Sequence, residues 1–111
     1  MDRLENDPQV LQEWFNMPIE LQISNIGSKV LRADRWKKRG NYKNMRSFYN
    51  AAISFLRIAI KDPKNAARRN ELELCVDELA DYFIGENHWN TTSETLEKYY
   101  NAFLQVFQSL L

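Results

Sequence analysis

The sequence predicts an all-α fold, an up-down four-helix bundle with an additional short N-terminal helix. Three observations predict it. Gly and Pro are scarce, three of each in 111 residues, too few for the turns of an all-β chain. They fall almost wholly between apolar-periodic segments. Within those segments the apolar residues recur at spacings of three and four, one buried stripe per helix.

The elements follow in order. Asp7-Pro8 reads as an N-cap with Pro at the first helical position, opening a helix over 8–16. Met17-Pro18 ends it and starts a second helix over 18–39, with Ile19, Ile23, Ile26, Val30 and Ala33 inward and Gly40 as its stop. Asn41 caps a third over 42–61, with Met45, Phe48, Tyr49, Ala52, Ile53, Leu56, Ala59 and Ile60 inward. Asp62-Pro63 breaks and restarts the chain into a fourth over 64–84, carrying Leu72, Cys75, Val76, Leu79 and Phe83. Thr91 and Glu94 have capping-box spacing, so a fifth helix is expected over 92–110, with Leu96, Tyr99, Tyr100, Phe103, Phe107 and Leu110 inward. At 1.5 Å per residue the four long helices match at roughly 30 Å. Short connections make neighbours antiparallel. The first helix, with Val10, Leu11, Trp14 and Phe15, is expected to dock across one end or flank. A chain of this length forms one domain, residues 1–111.

Gly27 is the one breaker inside a helix and costs about 1 kcal/mol relative to Ala there. Close approach of another helix would account for it. A small ligand held near Asn25 and Gly27 is the weaker alternative.

Charge is the most informative pattern. Residues 29–69 carry thirteen Lys and Arg and two acids, Asp34 and Asp62. The flanks are acidic, and the formal net charge of zero conceals the separation. The densest part, Lys29 to Arg46, holds eight basic residues and one acid. Within it Arg35, Trp36, Lys37, Lys38, Arg39, Lys43 and Arg46 form a candidate anion or nucleic-acid surface, with Trp36 available to stack on bases. Helix dipoles explain only Lys37, Lys38 and Arg39, which end a helix; Lys43 and Arg46 begin one, where cations are disfavoured. The topology offers a competing account. It brings Arg35–Arg46 to the same pole as Asp77, Glu78, Asp81, Glu86, Glu94 and Glu97, and Lys61, Lys64, Arg68 and Arg69 to the other, near Glu20. Each exposed pair would contribute only about 0–1 kcal/mol, but the pattern would oppose wrong helix order.

Catalytic and metal motifs are not found. His88 is the lone histidine, in a loop, and Cys75 lies on an apolar stripe, so neither a zinc site nor a nucleophile–base set can be assembled. The three glycines are isolated and form no phosphate loop. No cofactor is expected and no enzyme activity. The lone cysteine, the lack of a secretory leader and the lack of an apolar run near the roughly 20 residues of a membrane span predict a cytoplasmic protein without membrane contact. The Asn90-Thr91-Thr92 sequon is then fortuitous.

Gly40-Asn41-Tyr42, Tyr49, Ala52 and Asp62-Pro63, with Ala33 and Trp36 upstream, resemble the helical hairpin of a tetratricopeptide repeat. Met45 departs from that pattern, and no 34-residue recurrence follows, so the likeness is to one hairpin and not to an array. Asn25-Ile26-Gly27-Ser28, Arg32-Ala33, Trp36-Lys37 and Asp81-Tyr82-Phe83 resemble small bacterial helical proteins of uncharacterised function. That resemblance implies no site residues. Trp14, Phe15, Trp36, Tyr42, Trp89, Tyr99 and Tyr100 exceed what a narrow core should hold, so the leading expectation is a non-catalytic protein-interaction or adaptor module, with itself a possible partner. Nucleic-acid or anion binding through residues 29–46 is the alternative.

Overall fold

The computed structural model describes residues 5–110. It is all-helical, with α1 over Pro8–Phe15, α2 over Ile19–Lys38, α3 over Tyr42–Lys61, a 3-10 helix over Pro63–Arg68, α4 over Arg69–Phe83 and α5 over Ser93–Ser109. Among the described residues there is no strand, and no helix is long and apolar enough to cross a membrane. An additional short helix preceding a four-helix arrangement is the predicted architecture.

The punctuation works as expected, with two corrections. Asp7 accepts from the Gln9 amide at 2.9 Å and Asn41 from the Asn44 amide at 3.1 Å. Gly40 takes φ +74°, the left-handed geometry that closes α2 without a Cβ penalty. The fourth helix, expected from residue 64, begins as the 3-10 turn because Asn65 turns inward, donating to the Ala59 carbonyl and to Gln22 Oε1. The capping box of α5 is formed by Thr92 and Thr95, not Thr91 and Glu94. Thr91 is already engaged: its amide donates to Asn87 Oδ1 and its hydroxyl to Glu78 Oε2.

The four long helices enclose one core. α2 runs along α3 on one side and α5 on the other, and α4 lies against α3. Ile23, Ile26, Val30, Leu56, Leu72, Leu79 and Leu96 are buried at the centre. α1 rests on α3, with Trp14 stacked on Phe55 at 4.5 Å between ring centroids. A buried polar knot ties this end together. Gln22 donates to the Trp14 carbonyl and to Asp62, and Lys64 donates to the Phe15 carbonyl and pairs with Asp62.

The two seams of α5 differ. A Cβ on Gly27 would stand 2.6 Å from Tyr100 Cβ, so α2 and α5 meet where Gly27 leaves room, and close packing accounts for this glycine. The seam with α4 is bridged by side chains. Tyr99 donates to Glu71, Cys75 donates to the Tyr99 hydroxyl at 3.5 Å, and the Arg68 guanidinium covers the Phe103 ring at 4.9 Å. Gly27→Ala should lower stability by about 1–2 kcal/mol, since overpacking outweighs the gain in helix propensity. A thermal melt reads this directly, and an unchanged or raised melting temperature would refute the packing account.

Candidate functional site

The poles come together as the topology requires, yet the opposite charges that were expected to pair do not. Among the described residues, no ion pair joins the basic stretch 35–46 to the acids of α4 and α5. The pairs that form are mostly local: Lys38 with Asp34 at 3.5 Å, Arg68 with Glu71 at 2.8 Å, and His88 with Glu86 at 3.3 Å. Arg57 reaches Glu5 at 3.5 Å.

Both halves of the failed pairing have a physical cause. The acids serve nearer groups. Asp81 accepts the His88 and Trp89 amides at 2.8 and 3.0 Å, shaping the α4–α5 loop, and the Trp89 amide, then that of His88, holds its carboxyl below the usual range. Glu78 accepts from Thr91. That role explains an acid near the C-terminus of α4, against the helix dipole. Four of the cations meanwhile lie over rings. Lys37 Nζ stands 4.2 Å from the Tyr82 ring centroid, and Arg39 Cζ stands 5.3 Å from that of Trp36. Lys29 and Arg32 share Phe48 at 5.8 and 5.9 Å. Cation–π contacts hold a side chain in place without cancelling its charge.

Lys29, Arg32, Arg35, Lys37, Arg39, Lys43 and Arg46 therefore keep an uncompensated charge, with no carboxylate within 4.0 Å among the described residues. Arg32, Arg35, Lys38, Arg39, Lys43 and Arg46 are exposed, whereas Lys37 is half-buried against α4. Lys38 differs again, being paired with Asp34, whose carboxylate is buried and also accepts from the Tyr82 hydroxyl at 2.5 Å. Burial first, and then this bond to Asp34, push the Tyr82 hydroxyl up to about 12. Lys29 and Arg32 lie within the basic stretch 29–46 expected from the sequence, and with Trp36 and Arg39 they follow at spacings of three, four and three.

The aromatic surplus is largely absorbed. Trp14 and Tyr100 are buried, and Phe15, Trp36 and Tyr99 pack partly buried against the core. Tyr42 and Trp89 stay exposed, at 64% and 52%. Trp36 is thus no free stacking platform. The remaining exposed apolar residues include Leu74 on α4 and Leu104, Val106 and Leu110 at the end of α5. An open groove of about 440 Å³ is lined by Tyr99, Ala102 and Phe103 together with Arg68, Glu71, Thr95 and Lys98.

No group of three or more His, Cys, Asp or Glu among the described residues could hold a metal ion. Burial, the larger influence, raises the Cys75 thiol above its ordinary range, the opposite of what a nucleophile needs. His88 is exposed in the loop. Comparison with protein-family models, with curated proteins and with solved structures finds no match.

Proposed function

We propose that this protein is a non-catalytic nucleic-acid-binding module whose working surface is the outer side of the α2/α3 hairpin. One observation carries the reading: a stretch of seven cations on two adjacent helices has no carboxylate partner among the described residues, although the chain carries as many acids as bases. A folded protein that used these charges only to order its helices would bring the acids to them. Lys43 and Arg46 oppose the dipole at the start of α3 and give no ion pair in return, so an external anion supplies the reason for their presence. Their field adds to that of Arg32, Arg35 and Arg39 within about 15 Å of helix, the scale on which a phosphate backbone presents several charges.

Fluorescence anisotropy of labelled mixed-sequence nucleic acid tests this. With about six phosphate contacts, affinity should fall by about 10³-fold between 50 and 200 mM salt. Affinity unchanged over that range, or no binding at 50 mM, would reject the reading.

A second reading rests on a different surface. The exposed Leu74 on α4, the exposed Leu104, Val106 and Leu110 towards the end of the chain, and the groove over Tyr99 and Phe103 favour a protein contact, as an interaction or adaptor module would need. The two surfaces lie on opposite sides of the helical ring and can coexist.

A further inference from the structure

Resting on the nucleic-acid reading above, the geometry points to a narrower ligand: the α2/α3 face grips the phosphate backbone of a duplex and does not read bases. Proteins that hold single strands offer bare aromatic faces on which bases stack, between or beside their cations. Here the arrangement is inverted. Arg39 lies over Trp36 and both Lys29 and Arg32 lie over Phe48, so cations cover the rings that a base would need. Trp36 and Phe48 are also partly buried against the core, and neither can turn outward without losing that packing. The rings serve as seats that fix the cations in position.

The seated cations Lys29, Arg32 and Arg39 form one firm row along α2, and Lys43 and Arg46 lie beside it at the start of the packed helix α3, with helix axes usually about 8–10 Å apart. A duplex presents its phosphates as a similarly stiff array. A flexible single strand would have to be ordered to match, without stacking to compensate. Lys29, Arg32 and Arg39, committed to rings, are also poorly placed to enter a groove and bond base edges, which favours contact with phosphates over reading of sequence. Tyr42, exposed as the first residue of α3, is the aromatic among the described residues on this side left open to stacking.

The test compares a labelled duplex of about 20 base pairs, two helical turns, with each of its separated strands at about 50 mM salt. The duplex should bind at least as tightly as either strand. An unrelated duplex should agree within a factor of about 3, less than a single base contact would give. Tyr42→Ala, a change at an exposed position, should leave duplex affinity within the same factor. Single strands bound more than about tenfold tighter, with that preference lost in Tyr42→Ala, would overturn the inference while leaving the nucleic-acid reading intact. A marked preference between duplex sequences would overturn it too. Failure of every strand and duplex to bind at low salt would remove both.

Discussion

Gln22→Leu should destabilise the fold by about 3 kcal/mol, although leucine fills the space with an apolar side chain of similar size. Gln22 is fully buried on α2 and works in three directions. Its amide group donates to the Trp14 carbonyl at 2.7 Å and to Asp62 at 2.9 Å, and its oxygen accepts from Asn65 at 2.8 Å. Leucine leaves the partners of all three bonds short of a contact inside the protein, each at about 1–3 kcal/mol, with partial relief because Asp62 keeps Lys64 and Asn65 keeps the Ala59 carbonyl. Against a typical total of about 5–15 kcal/mol the loss is large. Denaturant titration should show it; a change below about 0.5 kcal/mol would mean that the knot is dispensable. The acid limb gives an independent readout. Burial pushes the Asp62 carboxyl up, but bonds from Lys64 and Gln22 outweigh it and hold the group below its ordinary range. A depressed carboxyl contributes stability above its unfolded pKa near 4 and loses it as pH falls through the folded value. Removing the Gln22 bond weakens that depression, so the variant should lose less of its remaining stability to acid than the native protein does.

Replacing Arg32, Arg35 and Arg39 together with glutamine should weaken nucleic-acid binding by about 10³-fold at 50 mM salt. Each phosphate contact scales affinity with salt to a power of about −0.9, which gives roughly 15-fold per contact at 50 mM against a 1 M reference. Three contacts multiply to the stated loss. The slope of log affinity against log salt should flatten by nearly three at the same time. Stability should fall only modestly, because all three are exposed and Arg32 and Arg39 each give up only a surface cation–π contact worth about 0.5–1 kcal/mol. The combination of lost binding, flattened slope and modestly lowered melting separates a working surface from a structural one. Unaltered binding with unaltered slope would move the site off α2.

Much of this architecture is legible in the residues themselves. Asp7-Pro8, Met17-Pro18, Gly40-Asn41 and Asp62-Pro63 mark ends that the structure places where the local chemistry requires them. Gly27 announces a tight crossing, though only coordinates reveal Tyr100 as the other side. What the chain conceals is competition between partners. Pro63 is compatible with either helical form, and the 3-10 turn is chosen by Asn65, which bonds a residue 43 positions earlier. Thr91 looks like a cap until Asn87 and Glu78 claim it. The basic stretch is plain to see, but its fate is not, because Lys37 settles on a ring 45 residues away and Arg39 on one three residues back. Charge patterning identifies the set of cations; whether carboxylates or aromatic faces receive them depends on side-chain reach across the fold.

Because the cations of 29–46 lie on α2 and the start of α3 and the acids of 71–97 on α4, α5 and their loop, charge is unevenly distributed among the helices. A polyanion then exerts a torque on the protein before contact, turning the α2/α3 side forward and holding the acidic side away. Fewer encounters are wasted on wrong orientations, so at low salt the association rate constant can rise above the roughly 10⁵–10⁶ M⁻¹s⁻¹ of unsteered partners. Copies arriving along one duplex would all present the same acidic back to the solvent. Their mutual repulsion would space them out, giving anticooperative coverage that tightens toward close packing as added salt screens neighbours.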